Sequence, residues 1–241
     1  MKDDYHIGTS GWSYDHWDGV FYPQNVKKEE RLSHYIKFFK TVEINNTFYH
    51  LPTAKVFKGW RESTPKGFIF SLKASRFITH MKKLKGAKDA LNTFLKRAMI
   101  LRDRLGPILF QLPPHWKCNA ERLHSFLSLL PSGLLYAFEF RDESWFDDRV
   151  FTLLKKKNSG LCIYHMPDFL SPIKVTADFV YIRFHGAKSL YGGKYSKSEL
   201  MKWSEMIKGF KEKGLDIYAY FNNDAHGYAV ENALELKDIL E

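Results

Sequence analysis

Short apolar runs recur along the chain, each rich in β-branched or aromatic residues and each too short to form a helix. Runs of this kind are typical of strands buried within a sheet. Eight of them can be identified, at residues 5–8, 42–44, 68–72, 108–110, 135–140, 161–164, 179–184 and 217–221. The pattern therefore predicts eight strands.

Between several of these runs, apolar side chains repeat at i, i+3, i+4 and i+7, which predicts helices that pack one face on a sheet. Three stripes with this spacing begin at Leu32, Leu91 and Leu123, and a longer stripe begins at Leu200. Strands that alternate with helices predict a parallel sheet with right-handed crossovers. Eight such units close into an α/β fold of the (β/α)8 TIM type.

The sixth crossover departs from this alternation. Residues 165–178 include Pro167 and Pro172 and leave little room for a full helix. We therefore expect the sixth crossover helix to be degenerate.

The composition is that of a globular protein, with 44% hydrophobic and 16% aromatic residues. Its 241 residues are close to the roughly 250 usual for such a barrel, and neither a linker nor an internal repeat divides them. We therefore predict one domain, residues 1–241. The N-terminus has no apolar segment and no later run approaches 18 apolar residues, so we expect a cytoplasmic protein without membrane contact. Cys118 and Cys162 lie outside any metal or redox spacing and are expected to be reduced thiols.

The formal net charge of +10 favours an acidic partner, either an anionic small molecule or a nucleic acid. Three consecutive lysines at 155–157 contribute to this charge, but they stand where a helix should end. There they complement the helix dipole and face water, so we assign them no functional role.

Polar residues occur at the ends of the predicted strands, often two positions apart. In a barrel, such a spacing places both side chains on one face, and the carboxyl ends of the strands form the catalytic mouth. The pairs are Glu43 with Asn45, Glu139 with Arg141, and Arg183 with His185. Lys73, Gln111 and Asn222 occupy equivalent places after their strands. These residues are the candidate site.

Three cations, Lys73, Arg141 and Arg183, outnumber the two carboxylates in this set, which favours an anionic ligand group. We predict Glu43, Glu139 and His185 as acid or base groups, and the remaining residues as ligand contacts.

Three alternatives stay open for these side chains. The charges could form an internal network, with Glu43 paired to Lys73, and Glu139 paired to Arg141 or Arg183. His185 could make a structural hydrogen bond. Lys73 could form a Schiff base if it is desolvated.

A divalent metal is a further alternative, since Glu43, Glu139, His165, His185 and Asp224 could supply ligands from different strands. The chain lacks HxH, HExxH and CxxC spacings, and neighbouring cations would repel a divalent ion. We therefore predict no cofactor and no metal ligands.

Three connections at the predicted mouth carry distinctive residues. The first, residues 10–28, is long and aromatic; Trp12 and Tyr14 are predicted to contact ligand, and Phe21 and Tyr22 to anchor the loop. The third, residues 76–88, holds a basic patch with candidate nucleic-acid contacts at His80, Lys82, Lys83 and Lys85. In the seventh, Gly186, Gly192 and Gly193 are compatible with a lid or a phosphate-binding turn.

Several ordered motifs resemble the YecE-like family of unknown function, domain-of-unknown-function family 72. They are GTSGW at 8–12, FYP at 21–23, VEINNTFY at 42–49, QLPP at 111–114, EFR at 139–141 with SW at 144–145, YIRFHG at 181–186 and YFNN at 220–223. The resemblance spans residues 6 to about 233. It implies a (β/α)8-type barrel and no established activity.

The leading hypothesis is an enzyme that acts on an anionic, phosphorylated or nucleotide-like ligand at the mouth of the barrel. A nucleic-acid-binding or processing protein is the second hypothesis, and a non-catalytic binding barrel is the third. The reaction class and the oligomeric state are left open by the sequence.

Overall fold

Eight parallel strands form a barrel in the computed structural model, which describes residues 5–241. A short ninth strand pairs antiparallel with one of them. The strands are β1 Tyr5–Thr9, β2 Thr41–Ile44, β3 Ile69–Lys73, β4 Leu105–Gln111, β5 Tyr136–Glu139, β6 Ser159–Met166, β7 Phe169–Leu170, β8 Phe179–Phe184 and β9 Asp216–Phe221. Their order is β1-β9-β8-β6-β5-β4-β3-β2, with β7 beside β6. The predicted α/β barrel and its eight strands are confirmed.

The helices lie mainly on the outside of the barrel, where their apolar faces cover the strands. They are α1 Arg31–Tyr35, α2 Asn46–Tyr49, α3 Ala54–Glu62, α4 Lys88–Ala98, α5 Ala120–Leu127, α6 Asp148–Lys156, α7 Lys197–Lys211 and α8 Tyr228–Leu240. Helix α7 begins at a capping box in which Ser196 and Glu199 satisfy each other's backbone amides. Lys155 and Lys156 lie in the last turn of α6 and are exposed, as expected.

Strands β1 and β2 close the barrel at their carboxyl ends. Ser10 and Glu43 form a parallel bridge, and the Gly11 amide donates to the Glu43 carbonyl at 2.7 Å. The same residues bring the first loop and the end of β2 together at the mouth.

Below this bridge, a tyrosine hydroxyl replaces the direct hydrogen bonds between β1 and β2. The Tyr35 hydroxyl accepts from the Thr9 amide at 3.1 Å and donates to the Thr41 carbonyl at 3.1 Å. Gly8 permits this close approach, since a Cβ there would lie 2.5 Å from the Thr41 carbonyl oxygen. Helix α1 ends at Tyr35 rather than continuing to Phe39, because the chain must turn there to enter β2.

The barrel interior has its own apolar cluster, distinct from the larger layer between strands and helices. Its members are Leu109, Ala137, Cys162, Tyr164, Phe179, Tyr181, Tyr218 and Tyr220. Hydroxyl pairs cross the interior between Ser71 and Tyr181 at 2.7 Å and between Thr41 and Tyr220 at 2.8 Å. This packed, hydrogen-bonded floor supports the polar residues above it.

The connection between β6 and β8 contains no α-helix, as predicted. Strand β7 folds back on the end of β6, and the Thr176 hydroxyl accepts from the Leu161 amide while donating to the Ser159 carbonyl. Short side chains thus attach this connection directly to the strand.

Within residues 5–241, no helix combines the length and apolarity needed to cross a bilayer. Cys118 and Cys162 are both free thiols, and Cys162 is buried in the barrel interior. The first four residues of the N-terminus, which entered the expectation about targeting, lie outside the described residues.

Candidate functional site

Arg183 forms the centre of the polar cluster at the mouth. It is the last but one residue of β8 and is 0% exposed. Its Nη2 donates to Glu43 Oε1 at 2.8 Å, and its Nη1 donates to Glu139 Oε2 at 2.7 Å. A buried charge needs such partners, so the two carboxylates from β2 and β5 are held on one guanidinium. The anticipated pair of Glu43 with Lys73 is not formed.

Glu43 is fully enclosed by donors. Ser10 Oγ donates to Oε1 and the Tyr181 hydroxyl donates to Oε2, each at 2.6 Å. Burial by itself would raise the pKa of Glu43, but the Arg183 charge and these two hydrogen bonds outweigh it and lower the pKa. Glu43 is therefore ionised, and both of its carboxylate oxygens accept hydrogen bonds.

Glu139 is held in the same way on the other side of Arg183. Gln111 Nε2 donates to its Oε1 at 2.7 Å, as the register of β4 against β5 allows, and Arg141 Nε donates to the same oxygen. Burial opposes ionisation, yet the charges of Arg141 and Arg183 keep the pKa of Glu139 well below its usual value. Gln111 and Arg141 lie where the sequence predicted them.

His185 is enclosed by hydrogen-bonding groups and is 0% exposed. Arg141 Nη2 lies 2.7 Å from Nε2, and because a guanidinium can only donate, Nε2 is an acceptor. The proton of the neutral ring is then on Nδ1, where the Asn222 amide lies at 3.2 Å and must present its oxygen. Burial, opposed by Glu139 and aided by Arg183, lowers the pKa of His185 to about 4. The imidazole is therefore neutral at pH 7.

Lys73 differs from the other charged residues of the cluster. It ends β3, is partly exposed at the mouth, and has its Nζ 4.3 Å from the centre of the Phe48 ring. Among residues 5–241, no carboxylate lies within ion-pair distance of this ammonium. Burial, followed by repulsion from Arg183, lowers the pKa of Lys73 to about 8. With Lys73 protonated, the three cations and two carboxylates of the cluster leave one net positive charge.

A small cavity adjoins this cluster, between the first loop and the end of β2. Its volume is about 180 Å³, and it is lined by Gly11, Trp12, Ser13, Tyr14, Ile44, Asn45 and Asn46. The Oδ1 atom of Asn45 is buried without a hydrogen-bond partner in the described part of the chain. Two residues further on, the Thr47 hydroxyl donates to the Lys73 carbonyl at 2.7 Å. The cavity and Lys73 therefore lie on the same section of the rim.

The first loop is attached to the barrel by its larger aromatics, as expected for Phe21 and Tyr22. Trp17 and Tyr22 are buried, and Trp17 Nε1 donates to Asp224 Oδ1 at 2.7 Å. Phe21 packs edge-on against Trp17, with the ring centres 5.6 Å apart. Trp12 and Tyr14 remain partly exposed beside the cavity.

The third and seventh connections also border the mouth. His80 packs on the Phe48 ring that Lys73 contacts, with the ring centres 5.0 Å apart, and the three lysines beyond it are exposed. In the seventh connection, Gly186 has a φ of 132°, and the Tyr191 ring lies 5.6 Å from His185. Sequence reasoning did not find Tyr191, which lies over His185.

Sequence reasoning also missed Ser10 and Tyr181, the two hydroxyl donors to Glu43. The same rule of two-residue spacing could have found Tyr181, since it precedes Arg183 by two positions on β8. Ser10 follows the last residue of β1, as other site residues follow their strands.

Of the five residues considered as metal ligands, Glu43, Glu139 and His185 meet around Arg183, whereas His165 and Asp224 lie elsewhere. His165 Nδ1 lies 2.8 Å from the Tyr195 hydroxyl beside α7, and Asp224 is bonded to Trp17 and His16. Across residues 5–241, no three His, Cys, Asp or Glu side chains are grouped so that they could share a metal ion.

Comparison with known proteins places the chain in a family. Residues 6–241 match the family model described as protein of unknown function DUF72. The chain is similar to the UPF0759 protein YunF of Bacillus subtilis, with 24% identity over 98% of this chain and 94% of that protein. It is also similar to the crystal structure of a DUF72 family protein from Thermotoga maritima, with 30% identity, a TM-score of 0.88 and 98% of each chain covered. A DUF72 family protein from Enterococcus faecalis is 20% identical, with a TM-score of 0.85 over 98% of this chain and 95% of that one.

Proposed function

The chain belongs to the DUF72 family of proteins of unknown function, and from that premise we propose that it is an enzyme acting on an anionic ligand at the mouth of the barrel. The ligand is phosphorylated or nucleotide-like, and its anionic group contacts Lys73 and Arg141. One observation carries the proposal: Lys73 is a cation at the mouth without a carboxylate partner among the described residues, in a cluster with one net positive charge.

The division of charge within the cluster supports this assignment. Arg183 has no exposure and bonds to both carboxylates, so in this proposal it positions Glu43 and Glu139 rather than contacting ligand. Arg141 is 11% exposed and stands above it, while Lys73 faces the same opening. A phosphate or carboxylate between these two cations would neutralise the cluster.

The proposal also assigns the acid and base role to a residue other than Glu43, Glu139 and His185. Both carboxylates are ionised and buried, and both accept hydrogen bonds from Arg183. His185 Nε2 already accepts a hydrogen bond from Arg141, so its lone pair is not available to a ligand. Lys73 combines a pKa near neutrality with access to the mouth. We therefore propose Lys73 as the proton-transferring group, supported by the buried ion pairs.

Anion binding is tested by calorimetry and thermal shift with matched ligands. Inorganic phosphate, ribose 5-phosphate and AMP are compared with ribose and adenosine, which lack the charge. We expect only the phosphorylated ligands to bind, and Lys73→Met to weaken them about tenfold or more. Lys155→Met is the matched control, because Lys155 is exposed in the last turn of α6 and has no assigned role. Equal binding by K73M, or equal binding of the uncharged ligands, would overturn the proposal.

A second candidate function, nucleic-acid binding, is favoured by the position of the basic patch. The third connection exposes three lysines, Lys82, Lys83 and Lys85. Its His80 packs on the same Phe48 ring that Lys73 contacts. Fluorescent single-stranded RNA and DNA are titrated between low and moderate salt. If the three lysines contact phosphates, replacing all three with glutamine reduces the slope of log K against log salt by about 2. A salt-independent affinity, or no binding, excludes this function.

A further inference from the structure

We propose that Lys73 is a carbonyl-condensing residue, whose Nζ forms an imine with an aldehyde or ketone group of the anionic ligand. The inference rests on the proposed function, because it assumes that an anionic ligand binds at the mouth. It goes beyond that function by assigning a covalent step and a chemical class of ligand.

The surroundings of Lys73 leave its nitrogen available to a ligand. No described residue supplies a carboxylate within ion-pair distance or an acceptor for Nζ, and the Phe48 ring covers one side at 4.3 Å. The residue is partly exposed at the carboxyl end of β3. A nucleophile in a barrel needs this combination of enclosure and access to the mouth.

The neighbouring charges make the neutral amine accessible. Arg183 and Arg141 are fixed cations, and Arg183 repels the Lys73 ammonium more than Arg141 does. At a pKa of about 8, roughly a fifth of the side chain is neutral at pH 7.4, compared with less than about 0.1% for an ordinary lysine. Glu43 and Glu139 favour the ammonium, but both are already neutralised by arginine.

The step balances without any redox partner. The neutral amine attacks the carbonyl carbon, a C–N bond forms, and the carbonyl oxygen takes up a proton to give a carbinolamine. That oxygen leaves as water, its first proton having come from the nitrogen and its second from solvent, and the nitrogen lone pair forms the C=N bond of a protonated imine. One amine, one carbonyl and one proton therefore give one iminium and one water. The iminium keeps a positive charge where the ammonium had been, so the charge of the cluster is unchanged.

The adjoining cavity indicates what else the ligand carries. Its 180 Å³ volume accommodates a few heavy atoms, and its lining includes the polar side chains of Ser13, Tyr14, Asn45 and Asn46. Ligand hydroxyls would hydrogen-bond to these side chains, and Trp12 would cover the adjacent carbons. The ligand class is thus a hydroxylated aldehyde or ketone bearing a phosphate or carboxylate.

Trapping tests the inference directly. The protein is incubated at pH 7 with glyoxylate, a small anionic aldehyde, and sodium cyanoborohydride, which reduces an imine to a stable carboxymethyl amine. Peptide mass spectrometry then locates the product. We expect Lys73 to be modified at least about tenfold faster than Lys155, and Lys73→Arg to remove the fast phase. The Lys155→Arg variant, with the same change at an exposed lysine in the last turn of α6, should retain it.

A second measurement needs no variant, so it holds even if Lys73→Arg fails to fold. Competitive methylation with formaldehyde and cyanoborohydride is followed at each lysine of the wild-type protein between pH 6 and 11. Lys73 should titrate near pH 8. Titration of Lys73 with the exposed lysines, or modification spread over the surface without Lys73, would overturn the inference.

The experiments can reject either proposal without rejecting the other. Phosphate binding that depends on Lys73, without trapping by glyoxylate, rejects the imine and keeps the anion site. Trapping at Lys73 without affinity for any phosphorylated ligand rejects the phosphate-binding function and keeps the reactive amine.

Discussion

Arg183 holds a full positive charge with no exposure to solvent, and two carboxylates from non-adjacent strands neutralise it. Replacement by methionine would leave Glu43 and Glu139 buried without their shared counter-ion, which typically costs about 3–5 kcal/mol. We expect Arg183→Met to lower the free energy of unfolding by that amount in urea at pH 7.

The control for this prediction is Arg149→Met. Arg149 is 81% exposed and pairs with Asp147 at the surface, so its loss should change stability by less than about 0.5 kcal/mol. A similar effect for the two variants would contradict the central role of Arg183.

His185 makes stability depend on pH in a defined direction. Its pKa falls from 6.5 to about 4 on folding, so the unfolded state binds more protons between these values. Stability contributed by the neutral ring is present above pH 6.5 and is lost as the pH falls towards 4. Between pH 7 and 5 we expect this residue to account for a loss of about 2 kcal/mol.

The measurement is the free energy of unfolding of wild type and His185→Asn at several pH values in that interval. The variant should show a flatter profile, because asparagine does not titrate. An identical decline in both proteins would show that other groups cause it.

Much of the cluster could be predicted residue by residue, because polar side chains two apart at strand ends violate the apolar pattern of a barrel. Glu139 with Arg141, and Arg183 with His185, stand together as that spacing implies. The partner of each charge could not be predicted. It depends on distances across the barrel, which set Glu43 on Arg183 rather than on Lys73.

At the scale of elements, closure between β1 and β2 depends on one hydroxyl. Tyr35→Phe would remove the partner of the Thr9 amide and of the Thr41 carbonyl, two buried backbone groups. Leaving such groups unsatisfied costs about 1–3 kcal/mol each, so we expect a loss of about 2–6 kcal/mol in urea unfolding.

Tyr49→Phe is the matched control, since Tyr49 is 78% exposed and the same atom is removed. Amide exchange at Thr9 should accelerate in the Tyr35 variant and stay unchanged in the control. Unaltered exchange at Thr9 would show that the hydroxyl is not what closes this edge.

The elements themselves were largely predictable from apolar periodicity. All eight strands fall within a few residues of the predicted runs, and the two prolines correctly marked the connection without a helix. Helix α1 is shorter than its stripe because the chain turns after Tyr35 to enter β2. The place of that turn depends on where β2 lies in the sheet, which leaves no local signal.

At the scale of the whole molecule, eight strands share one closed interior, and charges from β2, β5 and β8 meet within it. Elements coupled in this way should unfold together, as predicted for one domain over residues 1–241. We expect urea transitions followed by far-ultraviolet circular dichroism and by tryptophan fluorescence to coincide. Separate midpoints, such as early loss of the environment of Trp17 in the first loop, would contradict a single cooperative unit.

The sequence by itself determined the strand count, the barrel class and the charged residues of the mouth, because these follow from local periodicity and from alternation along each strand. Only the tertiary structure decided how the charges divide. Arg183 reaches two carboxylates across the interior, His185 is enclosed as a neutral ring, and Lys73 is left as a partly exposed cation without an ion-pair partner among the described residues. These outcomes depend on strand register, which brings together residues as far as 140 positions apart in the chain. They also depend on burial, which determines which charges need a partner.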